Sequence, residues 1–164
     1  MALGRTTERK DKKYYLSITE GKIVHSKEGE KNYYTYVEGT LERIYQLERT
    51  FNGEKVLYWY IDLRAGRELY SLALPYKSGS FKSIVLALAS ASTLEGVVRI
   101  EPYERNGFTK VVVSLNGNRL DWITKELPPV ESIKIAGQPV KDDTKRMEYI
   151  CELVEAIQGK IHNN

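Results

Sequence analysis

Residues 56–63 read VLYWYIDL, with three consecutive aromatics, Tyr58, Trp59 and Tyr60. Aromatic and β-branched residues favour a pleated strand, and successive strand side chains point to opposite faces. Trp59 therefore belongs with Leu57, Ile61 and Leu63 on a core face, while Tyr58 and Tyr60 share the other face with Asp62. Turn signals flank the strand. Asn52-Gly53 is a strong two-residue hairpin signal, and "RAGR" leads into a strand at Glu68–Leu74 that Pro75 ends. With Ala65-Gly66 as the turn, Leu57 faces Leu74, Trp59 faces Leu72 and Ile61 faces Tyr70, an apolar set of cross-strand pairs. On the other face Tyr58 meets Ala73, Tyr60 meets Ser71 and Asp62 meets Leu69, so small neighbours are expected to leave both tyrosine rings uncovered. An Asn52-Gly53 turn pairs Tyr45 with Tyr60, Leu47 with Tyr58 and Arg43 with Asp62. This extends the tyrosine face with Tyr45, Arg43 and Arg49, but sets Gln46 and Glu48 against Trp59 and Leu57. Either the hairpin projects beyond the core with both faces wet, or a bulge shifts its register.

Upstream, Arg5, Arg9, Lys10, Lys12 and Lys13 make residues 1–13 an expected flexible basic arm. Tyr14–Ile18 and Lys22–Ser26, joined by "TEGK", read as a hairpin, and "KEGEKN" as a polar loop. Tyr33–Arg49 favours strand, and the Gly39 inside it marks a bulge or bend. Downstream, Phe81, Ile84, Val85 and Leu88 make a helical stripe, with Ser80 as N-cap and an end near Ser92. Val97–Tyr103 and Phe108–Leu115 are strands joined at Asn106-Gly107. That turn sets Ile100 against Val113, Val98 against Leu115 and Pro102 against Val111, with Arg99, Glu101, Tyr103, Lys110, Val112 and Ser114 on the reverse face. Trp122 reads as core or end-cap. Residues 124–143, with three prolines, read as an extended linker. Residues 144–161 read as an amphipathic helix with Met147, Ile150, Cys151, Val154, Ile157 and Ile161 on one stripe.

The totals narrow the function classes. The 164 residues carry a net charge of +3 and twelve tyrosines against three phenylalanines. Tyrosine, with a flat face and a polar edge, suits half-wet surfaces. No apolar run reaches the ~20 residues of a membrane helix, so no membrane partner is expected. The start lacks the apolar centre of a signal peptide and Cys151 is the lone cysteine, so the expected location is cytoplasmic. His25 and His162 lie far apart, "YKSGSFKS" lacks P-loop spacing, and no carboxylate pair stands out as acid and base. Neither catalysis nor a cofactor is expected.

Between Tyr33 and Trp122 the order is strand, strand, strand, helix, strand, strand. This resembles the OB-fold, a five-stranded, partly open Greek-key barrel, here with an N-terminal hairpin and a C-terminal amphipathic helix added. Element order and aromatic strands together resemble OB-fold single-stranded nucleic-acid-binding proteins. The bacterial single-stranded-DNA-binding family ends in a flexible acidic tail, whereas this chain ends in a helix and "IHNN", so a phage or mobile-element version of the role fits better. The resemblance implies a mainly β domain over 14–123 that holds its ligand on the second and third strands and their flanking loops. Rings for base stacking would be Tyr58, Tyr60, Tyr45 and Tyr103. Phosphate contacts would come from Arg43, Arg49, Lys55, Arg64, Arg67, Lys77, Arg105 and Lys110. The expected function is sequence-independent binding of single-stranded DNA in replication or recombination. Two alternatives stand beside it: RNA binding, and an interaction module forming a homo-oligomer through the C-terminal helix.

Overall fold

Asn52-Gly53 and Asn106-Gly107 adopt positive φ at both positions, from 48° to 80°. This is the type I′ geometry whose twist matches antiparallel strands. The computed structural model describes residues 12–162, so most of the expected basic arm lies outside the described residues, while Lys12 and Lys13 already belong to a strand. The elements are β1 (Lys12–Thr19), β2 (Lys22–Lys27), β3 (Glu30–Tyr34), β4 (Val37–Phe51), β5 (Glu54–Ala65), β6 (Glu68–Pro75), α1 (Gly79–Ser90), β7 (Val98–Arg105), β8 (Phe108–Leu115), β9 (Asn118–Arg119), β10 (Glu131–Ile135), β11 (Gln138–Asp142) and α2 (Thr144–His162). The described chain is mainly β with a C-terminal helix.

Nine strands form one sheet in the order β3-β2-β1-β6-β5-β4-β7-β8-β9. The strand–strand–strand–helix–strand–strand run expected from the sequence is present as β4, β5, β6, α1, β7 and β8. Closing those five strands into a barrel would require β6 to meet β8. No such ladder forms among the described residues. The place beside β6 is taken by β1, which pairs with it in parallel from Lys12↔Glu68 to Leu16↔Leu72. The sheet still curls. A Cβ on Gly21, in the β1–β2 turn, would come within 2.7 Å of the Glu104 backbone of β7.

β4 does the bending. Val37–Gly39 pairs with β7, and from Thr40 onward the strand pairs with β5. At the handover the backbones nearly touch, since a Cβ on Gly39 would lie 2.7 Å from the Arg64 carbonyl oxygen. A bulge between Leu41 and Arg43 then reverses the side-chain phase, so that Val37, Leu41 and Ile44 all reach the core. Past Ile44 the β4–β5 hairpin keeps the register expected from Asn52-Gly53, Tyr45↔Tyr60 and Leu47↔Tyr58. It projects beyond the core, so Gln46 and Glu48 are wet.

Some expectations are corrected. The β5–β6 turn uses Gly66-Arg67, pairing Ala65 with Glu68, Trp59 with Leu74 and Tyr60 with Ala73. Gly66 alone has positive φ, 63°, as a type II′ turn requires at its first central residue. The register moves by two residues and the faces survive, because strand side chains repeat every two. Leu57 lies on the projecting hairpin and is exposed, not core. "KEGEKN" is no loop. Glu28-Gly29 turns the chain into the third strand. Ser78, not Ser80, caps α1, its Oγ accepting from the Phe81 N–H at 3.2 Å. Trp122 is 47% exposed. The expected linker carries the β10–β11 hairpin, turned at Ala136-Gly137.

The inner sheet face packs on α1, and α1 is covered in turn by α2. Trp59 stacks on Phe81 with centroids 4.5 Å apart and donates its indole N–H to the Tyr76 carbonyl at 3.2 Å. The α2 stripe is spent on this core, with Met147, Ile150, Val154 and Ile157 buried. Gln158 adds a clamp. Its amide accepts from Ile44 N–H at 3.3 Å and donates to Ile44 C=O at 2.7 Å, satisfying backbone groups on the side of β4 that faces away from β5. Lys160 donates to the carbonyls of Ala89 and Ala91 at the end of α1.

Gly39→Ala is expected to lower unfolding free energy by about 1–3 kcal/mol, the usual cost of overpacking. Gly159→Ala, helical and with open space around it, should raise it by about 0.5–1 kcal/mol. Urea unfolding checks both; a Gly39→Ala protein as stable as wild type would contradict the close approach.

Candidate nucleic-acid interface

The outer face of β4, β5 and β6 is where the tyrosines expected from the sequence gather. Tyr45 and Tyr60 are direct cross-strand partners, and their rings stack at 5.3 Å with planes 14° apart. That stack corrects one expectation. Tyr60 is only 3% exposed, so its ring is not open beside Ala73 but lies beneath Tyr45 as the floor of the site. Burial pushes its hydroxyl pKa up, opposed by the Arg49 guanidinium, with Tyr45, Tyr15 and Tyr58 also raising it. The accessible rings are Tyr45 and Tyr58, both half-buried, and Phe51 and Tyr15, both exposed.

Each of these rings has a cation beside it. The Arg43 guanidinium lies 3.8 Å from the Tyr45 centroid. Arg49 lies 5.4 Å from Tyr58 and 5.8 Å from Phe51. Lys13 Nζ is 5.1 Å from the Tyr15 ring and 6.0 Å from that of Tyr45. These distances fall in the range of cation–π attraction, which holds rings and charges together without consuming the hydrogen-bonding capacity of the cations. Arg43 is fixed further by Asp62, to which its Nε donates at 3.1 Å. Asp62 is buried, and its Oδ1 has no partner among the described residues. Tyr45 Oη sits 3.5 Å from both Ser71 Oγ and Lys13 Nζ.

Beside Tyr58 the face opens into a cleft of about 510 Å³. Arg49 and Tyr58 line one side. Ser17, Ile18, Ala73, Leu74, Pro75, Ser78 and Ser80 also line it, with Thr109 from the β7–β8 hairpin. Phe108, next to Thr109, is 68% exposed.

The other expected site residues are spread more widely. Lys55 is exposed near the β4–β5 tip, opposite Thr50. Tyr103, Arg105 and Lys110 are exposed on the β7–β8 hairpin that supplies Thr109. Arg64 lies six strand positions, roughly 20 Å, from Tyr58 and is paired with Glu42. Arg67 is exposed in the β5–β6 turn at that far end. Lys77 forms an ion pair with Asp143 at 3.2 Å and so is held at the start of α2. The sequence reading missed Lys13, Tyr15, Phe51 and Phe108. Phe51 was within reach, since it has the same strand phase as Tyr45 and Arg49. Lys13 and Tyr15 were not, because nothing local announces that β1 lies beside β6.

The arrangement can hold flat rings by stacking and anions between them. Among the described residues no three His, Cys, Asp or Glu side chains form a metal-binding group, and no helix is long and apolar enough to cross a membrane. Compared with known proteins, the chain matches no family model, no curated protein and no solved structure.

Arg43→Met is expected to cost about 1–3 kcal/mol in urea unfolding, since the buried Asp62 carboxylate loses its partner. Adding Asp62→Asn should recover part of that loss. An Arg43→Met protein with unchanged stability would mean that the pair does not hold the face.

Proposed function

We propose that the chain binds single-stranded DNA on the outer face of β4–β6, largely without sequence preference, and protects it in replication or recombination. The observation that carries this is the alternation of accessible rings and guanidinium groups, Arg43–Tyr45 and Phe51–Arg49–Tyr58, opening into a cleft between two hairpins. Stacking on such rings is worth about 1–3 kcal/mol per base and accepts any base, because every base has a π-face. Under this proposal the interleaved cations contact the phosphates between stacked bases. In this reading β4, β5, β6, α1, β7 and β8 are an OB-type unit left open, with β1 in the place beside β6 that the last strand of a closed barrel would take. The face then corresponds to the strands on which OB-folds carry oligonucleotides. The role is binding rather than catalysis, in a reducing cytoplasm that keeps Cys151 as a thiol.

Fluorescence anisotropy with labelled poly-dT at two salt concentrations tests it. Tyr58→Ala should weaken binding about five- to a hundredfold, the loss of one stack. Arg49→Ala should also reduce the slope of log affinity against log salt by about 0.7, one phosphate contact on a single strand. Competition with poly-U separates DNA from RNA. If wild type does not bind poly-dT, or both variants bind as well as wild type, the proposal fails.

A further inference from the structure

At the other end of β5 and β6 from the cleft, a cavity of about 470 Å³ opens on the inner side of the sheet. Its floor is apolar, made by Leu16, Ile23 and Val37. Its walls are aromatic. Tyr14 and Tyr70 are partners across the β1–β6 ladder, and their rings stack at 5.6 Å with planes 28° apart. His25 meets Tyr14 edge-on at 5.4 Å. Tyr34, at the end of β3, and Tyr36, in the link to β4, stand exposed at the rim. Two carboxylates line the same space, Glu38 and Glu68. Glu38 is paired with Arg99 at 2.9 Å, and Glu68 accepts a hydrogen bond from the Tyr70 hydroxyl. That bond, with burial, pushes the Tyr70 pKa up to about 12, so the ring remains a neutral phenol. The cavity lining contains no lysine or arginine among the described residues.

We propose that this cavity is a cage for an organic cation, an alkylammonium or guanidinium group held among Tyr14, Tyr34, Tyr36 and Tyr70 with Glu68 as counter-charge. The negative faces of aromatic rings attract a desolvated cation, which is how aromatic cages recognise quaternary ammonium groups. The chain already makes one such contact at the rim, where the Arg99 guanidinium lies 4.0 Å from the Tyr36 centroid. With Glu38 neutralised by Arg99, the carboxylate of Glu68 is left as the charge that a ligand would balance. A nucleotide phosphate fits poorly here, because the lining offers it two carboxylates and no lysine or arginine. The size falls in the range of small-molecule sites, about 300–1,000 Å³. None of these residues belongs to the DNA-binding face, so the inference stands or falls separately from the proposed function.

The same cation chemistry can come from a free metabolite or from a side chain of a partner, and the titration separates them. Choline, N-acetyl-trimethyllysine amide and N-acetyl-arginine amide are titrated by NMR into the whole protein beside 3,3-dimethylbutan-1-ol, the neutral isostere of choline. At least one cation should bind saturably, with choline favoured if the source is a free metabolite and an amino-acid amide if it is a side chain. The neutral alcohol should bind at least tenfold more weakly than choline. Replacing both rim rings, Tyr34→Ala with Tyr36→Ala, should weaken the cation at least fivefold while poly-dT affinity stays at the wild-type value. Glu68→Gln, which keeps the shape, should weaken the cation and leave the alcohol unaffected. The proposal is overturned if no cation binds, if the alcohol binds as well as choline, if the variants bind cations unchanged, or if thymidine monophosphate displaces them.

Discussion

Between Gly39 and Ile44 one strand has to change its partner and its facing within six residues, and the rest of the sheet depends on that change. Gly39 lets β4 pass the Arg64 backbone closely enough to leave β7 for β5. The bulge at Glu42 then resets the phase, which puts Ile44 in the core and turns Arg43 and Tyr45 to the outside. A strand handed over in this way leaves backbone groups facing away from its new partner. Such groups are costly when buried, and the Gln158 amide takes those of Ile44. The C-terminal helix is therefore part of the device that bends the sheet, as well as a cover for α1.

The chemistry of the outer face follows from that phase. Had β4 kept the alternation it starts with, Arg43 and Tyr45 would point inward and the face would lose its cation beside Asp62 and the ring above Tyr60. With the bulge, Tyr45 covers Tyr60, Arg43 covers Tyr45, and the buried Asp62 holds Arg43. The result is a stack built from the inside outward, whose outermost ring and charge are already positioned before a ligand arrives. Pre-organised groups lose little side-chain entropy on binding, which suits the base stacking proposed for this face.

Much of this was legible in the sequence where the signal was local and chemical. Asn52-Gly53 and Asn106-Gly107 gave the registers of β4–β5 and β7–β8 as observed, because Asn and Gly tolerate the positive φ of a type I′ turn. The alternation through Tyr58, Trp59 and Tyr60 assigned the two faces of β5 as observed, with Trp59 and Ile61 inside, although Tyr60 is buried on the outer face and Leu57 is exposed. At Glu28-Gly29 and Ala136-Gly137 the hairpin was missed, although the backbone angles are the same kind and Glu20-Gly21, the same residue pair as Glu28-Gly29, was read as a turn. Long-range placement was out of reach. No local pattern reveals that β1 runs parallel to β6, that Tyr15 and Lys13 thereby join the face, or that a glutamine 114 residues away caps Ile44. Tyr60 was misjudged for a related reason. Its neighbours on β6 are small, but its cover comes from Tyr45 on the opposite side, so one flanking strand was not enough to decide its exposure.

Photo-cross-linking of an oligo-dT to the whole protein, with the attached peptides mapped by mass spectrometry, tests the central claim most directly. The account predicts cross-links on the aromatic side chains of the outer face, Tyr45, Phe51 and Tyr58, and none on Tyr60, which is buried beneath Tyr45. Cross-links confined to Trp122 or to the β10–β11 hairpin, or none at all, would contradict it.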